Sequence, residues 1–280
     1  MIDQPKCVLV GVTAHEQFAA TPALSFAIDL AKRHEACLTV CALAPALYLP
    51  VTRTGGAASA MLREEIEHYE EMCRLTARAA ADLVGRAGVS CISEQTLTPL
   101  ESRTGRFVRL ARVNDVSVLD APTADDDTLR EVVEDTLFES GRPAIVVPNS
   151  GAEAAPDNIA IAWDGSARSA RAVADAFAFL RTAKKIFIVT VTGEKDLSRM
   201  APGADLATYL LRHGVQEPQL EMLSAKDGDV AGRLRKFVKD EAIDMVVMGA
   251  FVHSRFRQAI LGGVTSSLLD DAPTTLFMAY

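Results

Sequence analysis

The stretch IDMVVMGAFVHSRFRQAILGGVTSSLLDDAPTTLFMAY, residues 243–280, decides the fold. Its apolar run Met245–Met248 predicts a buried strand ending at Gly249. A polar loop follows, and Gly262-Gly263-Val264-Thr265 opens a helix over Val264–Asp270. Asp271-Ala272-Pro273 then turns the chain into a last strand, Thr275–Met278. The same order stands earlier in the chain. Asn114-Asp115-Val116 through Leu119 matches Ile243-Asp244-Met245 through Met248, and Gly141-Arg142-Pro143 matches Asp271-Ala272-Pro273. Each half thus ends in a helix, a proline turn and a terminal strand, the mark of an internal duplication.

Working outward, the first half reads as strands Cys7–Val12, Ala36–Leu43, Val89–Glu94, Val116–Leu119 and Ala144–Val147. Helices Pro22–Arg33, Ala60–Gly85, Glu101–Val113 and Leu129–Glu139 alternate with them, the long one predicted to place Leu62, Ile66, Tyr69, Leu75 and Ala79 on its apolar side. Pro148 to Pro156, PNSGAEAAP, reads as a linker. The second half restarts with strands Asn158–Trp163, Lys185–Val191 and Gln219–Ser224, and with helices Arg168–Arg181, Asp205–His213 and Asp229–Glu241. Short apolar strands alternating with helices predict a parallel sheet covered on both faces. The expected fold class is α/β: two Rossmann-like domains, residues 1–148 and 157–280, each a five-stranded parallel sheet with helices on both faces.

Composition supports a folded chain of two such units: 280 residues, 49% hydrophobic and 24% charged. A formal net charge of −8 excludes a nucleic-acid binder that relies on a basic surface. The deficit is lopsided, with 14 basic and 21 acidic residues in 1–150 (net −7) and 15 and 16 in 151–280 (net −1). The second half is the better host for an anion. No apolar stretch approaches the roughly 20 residues that span a bilayer, and the start MIDQPKCVLVGV lacks a basic n-region. The five cysteines all fall in the first half; their odd number and lack of a paired framework predict reduced, mostly buried cytoplasmic thiols. Cys37 and Cys41 share strand parity, too far apart along the strand for a compact metal site.

Absent motifs narrow the chemistry. There is no GxxxxGK[ST] phosphate loop, no GxGxxG after a strand and no GxSxG elbow. What stands out is the segment after Met248. Glycines there let a backbone approach a ligand, free N–H groups at the helix start suit a phosphate, and Thr265, Ser266, Arg255 and Arg257 supply donors and charge. The plainer alternative is a tight connection with capping Thr and Ser. Asp164-Gly165-Ser166 follows the first strand of the second half, where open α/β sheets hold ligands. Asp164 can accept a hydrogen bond from a base or ribose, cap the following helix, or do both. In the first half the matching loop runs Asp120-Ala-Pro-Thr-Ala-Asp125-Asp126-Asp127, with Glu131, Glu134 and Asp135 in the helix behind it, a set that repels phosphate. His253 beside Ser254 has no third orienting group, so no catalytic residue is assigned.

Gly249-x2-Val252-x9-Gly262-Gly263-Val264-Thr265, with Asp164-Gly-Ser and the whole-chain duplication, resembles the universal stress protein A family in its tandem form. The resemblance covers essentially the whole chain, strongly in the second half. It implies adenine nucleotide alpha hydrolase-like domains packed as an internal pseudo-dimer through terminal strands Ala144–Val147 and Thr275–Tyr280. Some members bind ATP through G-x2-G-x9-G-[ST]. By position, Ala162 and Asp164 would lie near the adenosine and Val191 at the adenine edge. Met248 and Gly249 would pass beside the ribose, and Gly262, Gly263, Val264 and Thr265 would hold the phosphates. Val252 stands in place of the second glycine and Gly263 in place of Ser/Thr. The implied function is a stress-response sensor or regulator binding ATP, with Mg2+, in its C-terminal domain, with at most weak hydrolysis. The alternative is a scaffold or a binder of another small ligand. The partner set is an adenine nucleotide, no nucleic acid and no membrane, with a further homodimer left open at the helix 60–85.

Overall fold

A computed structural model describes residues 4–45, 56–95, 104–123, 126–192, 203–225, 228–250 and 263–280, with side chains of the long helix from residue 63 onward. The first half runs β1 (Cys7–Thr13), α1 (Pro22–His34), β2 (Cys37–Leu43), α2 (Gly56–Arg86), β3 (Cys91–Gln95), α3 (Gly105–Arg112), β4 (Val116–Asp120), α4 (Asp127–Glu139) and β5 (Ala144–Val147). The second runs β6 (Asn158–Ala162), α5 (Ala167–Asp175), α6 (Phe177–Leu180), β7 (Lys185–Thr192), α7 (Ala204–Arg212), β8 (Gln219–Ser224), α8 (Val230–Asp240), β9 (Met245–Gly249), α9 (Gly263–Asp270) and β10 (Thr275–Ala279).

All ten strands form one sheet in the order β3-β2-β1-β4-β5-β10-β9-β6-β7-β8. Within each half every pairing is parallel. The halves meet through the antiparallel pair β5–β10, with Phe277 opposite Ile145, so each terminal strand covers the edge of the other. The central strands β4, β5, β9 and β10 are buried nearly throughout, which is why they read as unbroken apolar runs. Outer strands β3 and β8 are largely exposed.

One core cluster lies on each sheet face. Val8, Val10, Phe26, Leu30, Ile159, Ile161 and Phe177 pack on one, and Leu9, Phe107, Leu119, Phe187, Leu234, Phe237 and Leu268 on the other. Strand alternation assigns the two sets. The duplication reaches single hydrogen bonds. Asp115 Oδ2 accepts from the N–H groups of Lys6 and Cys7 at 2.7 and 3.0 Å, and Asp244 Oδ2 accepts from Asp157 and Asn158 at 3.0 and 2.8 Å. These are the two aspartates that the sequence pairs.

Two expectations are corrected. The inward stripe of α2 is Met72, Cys73, Thr76, Ala77, Ala80 and Val84, while Leu75 is 50% exposed. Leu75 stands six residues from Tyr69, about 120° away around a helix of 3.6 residues per turn. The helix expected over 168–181 breaks at Ala176 (φ −88°, ψ 4°). Phe177, Ala178, Phe179 and Leu180 are all buried, and four consecutive residues of a straight surface helix cannot all face one core. The cysteines also differ from expectation: Cys41 and Cys73 are buried, but Cys7, Cys37 and Cys91 are half-buried, and all five are free thiols.

Candidate functional site

The strand order places the carboxyl ends of β9, β6 and β7 side by side. Ala162 ends β6 in register between Met248 and Val189. Ala162, Val191 and Val264 pack, half-buried, against the cluster that contains Met248, Val189 and Ala250. Ala162, Met248, Val191 and Val264, far apart in the chain, thus share one sheet face at one end. Strand parity puts them there, and the switch in strand order beside β6 opens the crevice that α/β proteins use for ligands.

Asp164 sits just past this end in a tight turn that Gly165 enables with φ of 73°. Its Oδ1 accepts the Ser166 N–H at 2.9 Å. Ser166 Oγ in turn accepts the Ser169 N–H at 3.1 Å, capping α5. Burial pushes the Asp164 carboxyl up, but its hydrogen bonds from the Ser166 N–H and from the Ser166 and Ser169 hydroxyls outweigh that and hold it below the usual range. The group is an ionised acceptor on an exposed residue.

Gly249 is where strand and helix touch. A Cβ there would lie 2.6 Å from Ser169 N and 2.9 Å from the Arg168 carbonyl carbon, so the first turn of α5 rests on bare backbone. Packing alone therefore demands this glycine. Gly263 is the opposite case: it is exposed, and among the described residues a Cβ would meet nothing within 4 Å. It begins α9, whose Thr265 is buried. Arg235 on α8 holds the far end of that helix, donating to Ser267 Oγ at 3.0 Å and to the Asp271 carbonyl at 3.1 Å. Gly262, Val252, His253, Ser254, Arg255 and Arg257 lie outside the described residues. A cation that the sequence did not single out is Arg233, one turn into α8 at the same end of the sheet. Its Nε is buried, with no hydrogen-bond partner among the described residues. The first basic residue of a predicted helix, Arg233, was the available signal.

The corresponding place in the first half is occupied by the chain itself. Val116 pairs with Val8 as Met245 pairs with Ile159, so Asp120 ends β4 where Gly249 ends β9. Asp120 Oδ1 accepts the Ala23 N–H at 2.7 Å, in the first turn of α1. Burial pushes this carboxyl up, only partly opposed by its bonds to Ala23 and Thr21. Behind it, Gly11 is roofed by Leu119, Leu43 and Phe107, with Leu119 Cδ2 2.5 Å from where a Cβ would stand. Asp126 caps α4 through the Leu129 N–H at 2.8 Å, and Asp135 accepts from the Thr104 hydroxyl at 2.6 Å. The first turns of α1 and α4 thus already have carboxylate partners. Among the described residues, no group of three His, Cys, Asp or Glu side chains converges as a metal site, and no helix is long and apolar enough to cross a membrane.

Two parallel five-stranded units, joined through antiparallel terminal strands, define a tandem Rossmann-like α/β protein. Residues 156–279, the second half of the chain, match the universal stress protein family. The chain's fold is similar to that of a universal stress protein from Archaeoglobus fulgidus DSM 4304, with a TM-score of 0.70 at 15% identity, covering 97% of both chains. A putative universal stress protein from Pseudomonas aeruginosa UCBPP-PA14 is similar at a TM-score of 0.58 and 14% identity, over 98% of this chain and 93% of that one. The functionally unknown protein PA1789 from Pseudomonas aeruginosa PAO1 is similar at 0.56 and 13%, over 98% and 92%. By sequence, no curated protein matches the chain.

Proposed function

We propose that the second half, residues 157–280, is a domain that binds an adenine nucleotide such as ATP as a sensor or regulator, and that the first half, residues 1–148, is a partner domain with no nucleotide site. The observation that carries this is the contrast between two equivalent strand ends. At β9 the chain leaves a bare glycine, an ionised Asp164 and the open start of α9; at β4 it inserts Asp120 into the helix terminus. A phosphate oxygen would meet the N–H groups of the first turn of α9 at Gly263, where no described atom lies within 4 Å of a Cβ position and the helix dipole favours negative charge. Gly262 and Thr265 would flank that phosphate. Ala162, Val191 and Met248 would form the apolar bed for base and ribose, with Asp164 accepting from a ribose hydroxyl or the base. A magnesium ion would arrive on the nucleotide's phosphates rather than in a cage of protein ligands.

Gly263→Asp tests this, because an aspartate in the first helical turn is compatible with folding yet places a carboxylate where the phosphate would be. Equilibrium dialysis with ATP should show at least a tenfold loss of affinity at unchanged melting temperature. Equal binding by the variant would remove the phosphate from this helix. A second reading, a binder of another small ligand or a scaffold, rests on the engagement of Asp164 in the α5 cap. Val252→Gly separates the two: a large gain in ATP affinity would show the valine closing the site to nucleotide.

A further inference from the structure

At the opposite end of the sheet from that crevice, β1 and β2 begin with a cysteine each, and the two are direct partners: Cys7 pairs with Cys37 in a parallel ladder. Partners in register point to the same face, here the face of Leu9 and Cys41. Neighbouring strands run about 4.8 Å apart, within the roughly 4.4–6.8 Å between Cα atoms that a disulfide spans. Both thiols are half-buried, so a small reagent reaches them, whereas Cys41 and Cys73 are buried. Cys91 on β3 is excluded by parity: it pairs with Leu38 and packs with the cluster on the other face.

The two thiols have different surroundings. The Ser90 hydroxyl donates to Cys37 Sγ at 3.8 Å. Cys7 lies beside Asp115, whose carboxylate accepts the Cys7 N–H at 3.0 Å. Its thiol is pushed up by burial first, then by Asp115 and by Cys37 itself. Lys6, the nearest cation in sequence, is turned to the His34 carbonyl at 2.9 Å.

We propose that Cys7 and Cys37 are a peroxide-responsive thiol pair that closes into a reversible intrachain disulfide, with Cys37 attacking and Cys7 resolving. The Cys37 thiolate attacks one oxygen of hydrogen peroxide; an S–O bond forms, the O–O bond breaks, and the departing hydroxide takes a proton to leave as water. The Cys7 thiolate then attacks the Cys37 sulfur; the S–S bond forms, the S–O bond breaks, and a second water leaves. Two thiols supply the two electrons that reduce the peroxide. A bridge between directly paired parallel strands demands a Cβ approach closer than the ladder's own spacing, so it is strained and readily reduced by small thiols.

The test uses the reduced full-length protein and hydrogen peroxide at equimolar to tenfold excess. After denaturation and alkylation, two of the five thiols should be lost to alkylation, and dithiothreitol should restore both. Peptide mapping should join the segment holding Cys7 to that holding Cys37. In Cys7→Ser, dimedone should trap a sulfenic acid on Cys37, and in Cys37→Ser no intrachain bridge should form. Mapping of the wild type stands alone if a variant does not fold. A bridge to Cys91 or between chains, or five thiols still alkylated after peroxide, would overturn the assignment.

Discussion

Gly249 and Gly263 both belong to the glycine pattern that suggested a nucleotide, yet the structure gives them opposite roles, and Gly→Ala substitutions separate them. At Gly249 a methyl group would start 2.6 Å from Ser169 N, against the 3.4 Å at which ordinary contact begins. The opposing atoms are backbone of a capped helix, so no rotamer change relieves them, and α5 must retreat or the strand bend. Overpacking of this kind costs about 1–3 kcal/mol, and the immovable partner places Gly249→Ala near the upper figure. For a chain of this size each kcal/mol moves the midpoint by about 2–4 °C, so the melting temperature should fall by about 6–12 °C. At Gly263 the methyl group meets no described residue, and alanine favours the helix by up to about 1 kcal/mol, so that variant should melt at or slightly above the wild type. Differential scanning calorimetry of the two variants beside the wild type measures both shifts. An unchanged midpoint for Gly249→Ala, or a fall of several degrees for Gly263→Ala, would refute the packing account of this end of the sheet.

Three further outcomes follow from other parts of the molecule. Asp120 carries a carboxyl raised by burial, so the folded state holds its proton to higher pH than the unfolded chain, and its contribution to stability declines as pH rises from the ordinary carboxylate range through the raised value. Asp120→Asn should therefore gain stability relative to wild type at pH 7 compared with pH 4, measured by urea denaturation; a pH-independent difference would contradict this. Phe277 is 1% exposed, faces Ile145 across the junction and meets Phe179 edge-on at 5.8 Å, so Phe277→Ala should cost about 3–5 kcal/mol in urea unfolding, and less than 1 would contradict its place in the core. Ser166→Ala removes the cap of α5 and should cost about 1 kcal/mol by the same assay; no change would mean that Asp164 alone suffices.

The strands were legible because central parallel strands, buried on both faces, are short apolar runs with little else in them, and because two such runs, Val116–Leu119 and Met245–Met248, carry matching neighbours. The matched Asp115 and Asp244 proved to be matched hydrogen-bonding groups. Helix faces were less legible: Leu75 is apolar but off the period of its helix, and the break at Ala176 is dictated by four buried neighbours rather than by a Gly or Pro. Ala162, Val191, Met248 and Val264 were named through the family resemblance, and the strand register brings them to one end of one sheet face. Asp120 at the first turn of α1 was not legible. It reads as the first residue of an acidic loop, and only the strand register shows that it stands where Gly249 does. The pairing of Cys7 with Cys37 was hidden for the same reason, since which strands are neighbours is decided by topology, not by spacing along the chain.

The central claim is one nucleotide site per duplicated chain, in the second half. Isothermal titration of the full chain with ATP and magnesium measures it directly. The account predicts a single equivalent bound, lost in Gly263→Asp and kept in Asp120→Asn. Two equivalents would contradict the blocking of the first half by Asp120, and no binding at all would contradict the nucleotide assignment itself.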